Sequence, residues 1–381
     1  MVTQRRLTRF VDSPRHDWGH LLGTLVELLN WHPALAVGQA GIIAVDSTTV
    51  EKRYGPKLAG TRPVYDATQR RLVDGYEIVS AAVVEATRCF PIGLVPHRKA
   101  EGAAQRAALK RRRRKAGEGE WPSKLDLALT LVTRACAAGV QVATVVGDSA
   151  FAVMWWLREV EALGRHWLVA TRQDRRLRIG AEIRAIRDWV PDLALTPVTA
   201  GTNAGTTLYG ALLPQAVLLE RHCNTLGLPC RPVYFERRNR RGKVVHRWYL
   251  LTDQLGCGLE TLWLHWSWRW AIEQLHRESK QHLHLAAFHA QTWEGIVAWV
   301  ACTSVRASLL YAMRALEPMY GNLSLEGLVA ALRQAACQVQ VSTEGGQGIA
   351  SIPPTLPSAL LWREAQLPLP AQWWPIVLKA P

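Results

Sequence analysis

Apolar runs bounded by polar residues set the order of elements along this chain. GIIAVDSTTV, residues 41–50, reads as a short buried strand whose apolar run ends at Asp46. GYEIVSAAVV and RCFPIGLVPHR supply two more strands. SKLDLALTLVTRACAAG has helical periodicity, a serine cap at Ser123 and a glycine stop at Gly139. QVATVVGDSAF is another buried strand ending in polar residues, followed by the helix AVMWWLREVEALG and the strand HWLVATR. Residues 1–40 predict one helix, capped by Ser13 with Pro14 at its first position and ending near Asn30.

Beyond residue 175 the pattern alternates and turns. TLYGALL, CRPVYFERR and GKVVHRWYLLT read as strands, and RRNRRGK as a basic hairpin tip. A long helix over about 258–285 follows, then helical segments to about 336 and a proline-rich end carrying Trp362, Trp373 and Trp374. The resulting scheme is a short helical arm (1–40), a first core segment (41–175), a β-rich insertion (176–250), a second core segment with the long helix (251–315) and a tail (316–381). Alternating strands and helices of this kind predict an α/β core with an open, mixed sheet.

Charge narrows the partners. Lys and Arg number 46 against 31 Asp and Glu, a net charge of +15. That balance points to a polyanion, with nucleic acid the best fit. KRRRRK, which contains Arg111, Arg112 and Arg113, and RRNRRGK, which contains Arg237, Arg238, Arg240 and Arg241, are expected to meet DNA phosphates. No basic amphipathic helix stands out for a membrane surface. The N-terminus lacks a signal-peptide core, and apolar stretches such as GIVAWVACTSV fall short of the roughly 20 residues of a membrane span. The seven cysteines are scattered and read as reduced thiols of a cytosolic protein, with Cys223 and Cys230 the one pair spaced for a bridge or half a zinc site. His282, His284 and His289 fit no zinc spacing.

Candidate chemistry lies in three carboxylates. Asp46 and Asp148 each follow a buried strand, at the sheet edge where open α/β sheets bind ligands. On the long helix, with Glu273 at zero, Trp266 falls at about +20°, Arg269 at about −40° and Lys280 at about −20°. Leu264, Trp268, Ile272, Leu275 and Ser279 form the opposite, core-facing side. On its own this stripe is a solvated face with one Arg–Glu pair. Joined to two strand-end aspartates in a basic chain, it predicts a set able to hold two Mg²⁺ ions for phosphodiester chemistry.

The spacing Trp266-x2-Arg269-x3-Glu273-x6-Lys280 resembles the Y-x2-R-x3-E-x6-K signature of the insertion-sequence-4 family of bacterial DDE transposases. Asp46 in VDSTT resembles that family's first catalytic aspartate, and Asp148 in VVGDSAF the second. Trp248 in WYLLT resembles a tryptophan that stacks on a flipped base near the cleavage point. The resemblance spans roughly 40–310. It implies an RNase H-like core with a mixed five-stranded sheet flanked by helices, interrupted by a mostly β insertion domain. It also implies Mg²⁺-dependent cleavage and strand transfer at terminal inverted repeats of double-stranded DNA, with Mn²⁺ able to substitute and a homodimer on paired ends. Asp46, Asp148 and Glu273 would bind the metals, while Trp266, Arg269 and Lys280 would contact the DNA backbone. The sequence departs from the pattern at Trp266, where the family has tyrosine. Its region before Asp46, one helix and an arm with Arg5, Arg6 and Arg9, is short. A nuclease of the same fold without strand transfer, and a catalytically silent DNA-binding relative, are the alternatives.

Overall fold

The computed structural model describes residues 17–52, 58–86, 88–98, 122–220, 223–288 and 292–337, with the short pieces 341–342 and 349–350. The Ser13–Pro14 cap, the KRRRRK run with Arg111, Arg112 and Arg113, His289 and the tryptophans of the tail lie outside those residues. Two compact units divide the chain, Met1–Tyr311 and Ala312–Pro381.

The first unit is built on β1 (Ile42–Glu51), β2 (Arg62–Asp66), β3 (Arg71–Glu85), β4 (Arg88–His97), β5 (Thr144–Gly147) and β6 (His166–Ala170). β3 lies between β1 and β4, antiparallel to both, while β5 and β6 run parallel to β1. The order β4-β3-β1-β5-β6 is a mixed five-stranded sheet of the RNase H-like kind. The strands in its middle are apolar on both faces. Ile42, Ile43, Ala44 and Val45 are wholly buried, as a sheet covered on both sides requires.

Helices supply that cover. α1 (Trp18–Trp31) packs on β4, and α2 (Lys124–Ala137) on β3 and β4. α3 (Met154–Ala162) packs on β6. α2 begins with a capping box: Ser123 Oγ accepts from Asp126 N–H and Asp126 accepts from Ser123 N–H. It ends at Gly139, whose φ of 77° is the left-handed turn that glycine takes at least cost. Among the described residues α1 is capped by Asp17, whose side chain accepts from His20 N–H. α4 (Leu259–Trp268) and α5 (Trp270–Gln281) follow the β-rich region, and α5 packs on β1 and β3.

The predicted single helix over 258–285 is therefore two. Arg269 stands at the break, where Ile272 N–H donates to Arg269 O in a tightened turn. Ser267 Oγ donates to Leu264 O at 2.8 Å, a back-bond that competes with the helix ladder and bends it. The expected core-facing side needs a matching correction. Ile272, Leu275 and Ser279 are buried, but Leu264 is 37% exposed. His265, Trp266, His276 and Glu278 are buried instead.

β7 (Arg176–Ile179) through β13 (Val244–Thr252) form the β-rich region. It is an extension of the core sheet: β13 pairs with β6, Leu250 opposite Ala170 and Thr252 opposite Leu168. The described strands of core and insertion thus make one 13-stranded sheet. Buried Cys230 is a free thiol, which removes the suggested pairing with Cys223.

The segment read as too short for a membrane span is part of a longer helix, α6 (Trp293–Leu316), of 24 residues. By length and composition α6 could cross a bilayer, but 67% of its most apolar window is buried within the protein. Its Ile296 and Val300 pack with Val50, Tyr76, Ile78, Leu94, Leu285 and Phe288. It is accounted for as a core helix. In the second unit, α7 (Leu325–Cys337) buries Leu325 and Leu328.

Glu260, in the first turn of α4, ties the extension to the helix pair. Its Oε1 accepts from Thr199 N–H at 2.6 Å and its Oε2 from Ala200 N–H at 2.9 Å. Both amides belong to β9 (Thr196–Asn203). Glu260→Ala is expected to cost roughly 1 kcal/mol, below the usual range for charged hydrogen bonds because the site is exposed. Hydrogen exchange should accelerate at Thr199 and Ala200; unchanged exchange there would show that the clamp contributes nothing.

Candidate metal and DNA site

Register brings the two aspartates together. β1 and β5 run parallel with Val45 opposite Gly147, so Asp46 and Asp148 are the next residues on neighbouring strands. Parallel neighbours lie about 4.8 Å apart. Asp46 does not close its strand as expected. β1 continues to Glu51 against β3, and it is β5 that stops, turning away beside Asp46. That turn is a 3₁₀ segment, Ser149–Phe151, capped by Asp148 Oδ1 accepting from Ala150 N–H at 2.8 Å. Gly147 permits it, because a Cβ there would sit 3.0 Å from Phe151.

α5 brings the third carboxylate. Arg269 Nη1 is 3.3 Å from Asp46 Oδ2, and Arg269 Nη2 is 2.5 Å from Glu273 Oε1. One guanidinium thus lies between a strand carboxylate and a helix carboxylate. Its Cζ stands 4.8 Å from the ring of Trp266, which is buried beneath it. Trp266 is in this arrangement a shelf for Arg269.

α5 is keyed to the sheet by two residues that the sequence reading did not single out. His276 Nε2 lies 2.5 Å from Ser80 Oγ, and the Ser80 hydroxyl donates to Asp46 O at 3.3 Å. Ser80 is the β3 residue opposite Asp46. Burial, with Lys280 and Arg269 nearby, pushes the His276 pKa down to about 3, so its imidazole is neutral at ordinary pH. The signal available in the sequence was its position, one turn beyond Glu273.

The Asp46 pKa is raised from 3.8 to about 6, chiefly by burial and then by Asp148, with a smaller push from Glu273, against the pull of Arg269 and the Ser47 N–H. Asp46 therefore feels both other carboxylates. Yet among the described residues no group of three or more His, Cys, Asp or Glu is close enough to hold one metal ion. The donor chemistry fits Mg²⁺, which takes hard oxygen ligands and keeps several waters. The disposition has Arg269 where a cation bridging Asp46 and Glu273 would be.

The remaining candidates fall in two places. Lys280 is half-buried farther along α5, its pKa lowered by burial against the pull of Asp66. Trp248, on β13, is half-buried with its ring 4.9 Å from Trp263 and 4.1 Å from His246. Arg237 Cζ stands 5.6 Å from Trp248 and its Nη2 donates to Gly201 O. Arg238 is paired with Glu236, and Arg240 donates to Ala204 O. Arg241 is exposed at the turn between β12 (Cys223–Asn239) and β13. The basic tip is thus largely engaged with its own protein: Arg237, Arg238 and Arg240 bond to Gly201 O, Glu236 and Ala204 O, away from the three carboxylates.

Because folded protein holds the Asp46 proton more tightly than an unfolded chain, ionising Asp46 opposes folding. The penalty is absent below pH 3.8, grows towards about pH 6 and is constant above. In metal-free buffer at pH 8, Asp46→Asn should therefore be more stable than the parent by up to about 3 kcal/mol, and no more stable at pH 3.8. Urea unfolding at both pH values measures this; a less stable variant at pH 8 would contradict it.

Residues 2–187 match the model of a family described as DDE superfamily endonuclease. Asp46 and Asp148 lie within the match, and Glu273 lies beyond it. No curated protein matches the chain. Over that stretch the chain is similar to endonucleases of the DDE kind, a class that works on DNA with divalent metals.

Proposed function

We propose that the protein is a transposase of the insertion-sequence-4 type, which cuts double-stranded DNA at terminal inverted repeats and joins the ends to a target. The observation that carries this reading is the parallel register of β1 and β5, which ends with Val45 opposite Gly147 and so sets Asp46 beside Asp148, the residue after β5, with Glu273 facing Asp46 across Arg269. The family match supports the endonuclease part. The net charge of +15 supports a DNA substrate.

In this reading Asp46, Asp148 and Glu273 hold two Mg²⁺ ions. Those ions would supply Lewis-acid activation of water or a 3′-hydroxyl and stabilise the leaving oxygen. Ser80 and His276 keep α5 at a fixed distance from Asp46. Arg269 and Lys280 bind phosphates near the scissile bond. The half-buried Trp248 would stack on an unstacked base, a contact worth about 1–3 kcal/mol. A pair of subunits would act on paired ends. The family described as an endonuclease favours one second reading, hydrolysis without joining.

Asp46→Asn, Asp148→Asn and Glu273→Gln are each expected to lower Mg²⁺-dependent cleavage of repeat-bearing DNA by more than about a thousandfold, the scale of electrostatic groups acting on the transition state. Gel-shift affinity for the same DNA should change less than about fivefold. A variant that cleaves at the parent rate would remove that residue from the site. Joining of donor ends to a plasmid separates transposition from hydrolysis; cleavage with no joined product favours the nuclease.

A further inference from the structure

Three observations about Arg269 belong together. Its guanidinium bonds Asp46 Oδ2 and Glu273 Oε1, the two carboxylates that the proposed function assigns to metal. Its Nε–H is buried with no hydrogen-bond partner among the described residues. It lies over the flat face of Trp266, at the break between α4 and α5, with its side chain 13% exposed.

The first observation defines a charge state. Two carboxylates held near Asp148 in a half-buried edge need a positive partner, and Arg269 is the cation that contacts both Asp46 and Glu273. Asp46 has no idle oxygen: Oδ1 accepts from Ser47 N–H at 2.7 Å and Oδ2 from Arg269. A divalent ion joining Asp46 Oδ2 to Glu273 Oε1 would occupy the space of the guanidinium that now bridges them and would face its positive charge. The second and third observations say that this pose is incomplete. An N–H is left unsatisfied, and the cation–π contact with Trp266 does not tie the guanidinium to one orientation.

From this we infer that Arg269 and the metal compete for Asp46 and Glu273, and that a DNA phosphate draws Arg269 away, so that divalent cation and DNA bind with positive coupling. This inference rests on the metal reading given above. Phosphate is a suitable competitor because guanidinium binds it in a bidentate fork and can also present Nε–H to it. Lys280, on the same stripe of α5, adds a second cation for the incoming backbone. The coupling has a use. Protein without DNA would keep its carboxylates neutralised internally and would complete the metal site when substrate arrives.

Linkage gives a test that does not depend on turnover. Mn²⁺ binding is followed by loss of the free-ion electron paramagnetic resonance signal, with and without a short DNA duplex. Arg269→Gln without DNA is expected to bind Mn²⁺ about tenfold more tightly than the parent, within the usual range of coupling between sites. The duplex should tighten Mn²⁺ binding by the parent by a similar factor and leave Arg269→Gln unchanged. Asp46→Asn should lose the protein's binding in every case, leaving with DNA only what the duplex binds by itself. If Arg269→Gln unfolds early, Arg269→Met, which removes the charge and keeps an unbranched chain over Trp266, carries the same comparison. Equal Mn²⁺ affinity in parent and variants, with binding still dependent on Asp46, would overturn the competition and leave the metal site standing. Absence of Asp46-dependent binding in all proteins, with and without DNA, would overturn the metal reading and this inference with it.

Discussion

The local structure at the sheet edge depends on one electrostatic constraint: three carboxylates are brought near one another where water is partly excluded, and something positive must offset them. Asp46 registers the constraint most strongly, with its pKa pushed up to about 6 by burial and by its two neighbours. Arg269 supplies the offset, spanning Asp46 and Glu273. Such an arrangement opposes stability and is retained where it has a use, the pattern found at functional sites. Neutral His276, Ser80, Gly147 and the 3₁₀ turn after Asp148 are supports that hold the edge in shape.

Those supports show how backbone architecture and chemistry meet. β5 ends where Gly147 lets the chain fold back over Phe151, and that ending exposes the side of β1 at Asp46. The helix break at Arg269, with the Ser267 back-bond beside it, puts a guanidinium where a continuous helix would have carried another turn of the stripe. Continuity of the sheet through β6 and β13 means that Trp248 and the edge carrying Asp46 belong to one sheet, with Glu260 clamping β9 to α4.

Much of this was legible in the sequence, for physical reasons. Val/Ile-rich runs identified β1, β3, β4, β5 and β6, because a strand buried on both faces has little choice of composition. Ser123 and Gly139 marked the ends of α2, because caps are local chemistry. The i, i+4 spacing put Arg269 and Glu273 in contact. What was not legible depends on tertiary context. The apolar run of β1 ends at Asp46, yet β3 carries the strand on to Glu51. Leu264 fits an apolar stripe only on a straight helix. The arginines of RRNRRGK look free in sequence, but Glu236 and the carbonyls of Gly201 and Ala204 take three of them. No local pattern shows that Ser80 and His276, 196 positions apart, share a hydrogen bond.

The most direct measurement is a crystal structure with Mn²⁺ and a DNA end, using the anomalous signal of manganese to locate ions. The account predicts anomalous peaks at coordination distance from Asp46, Asp148 and Glu273, with the Arg269 guanidinium moved onto a phosphate. Bound DNA with the Asp46–Arg269–Glu273 bridge intact and no peak beside Asp46 would contradict it.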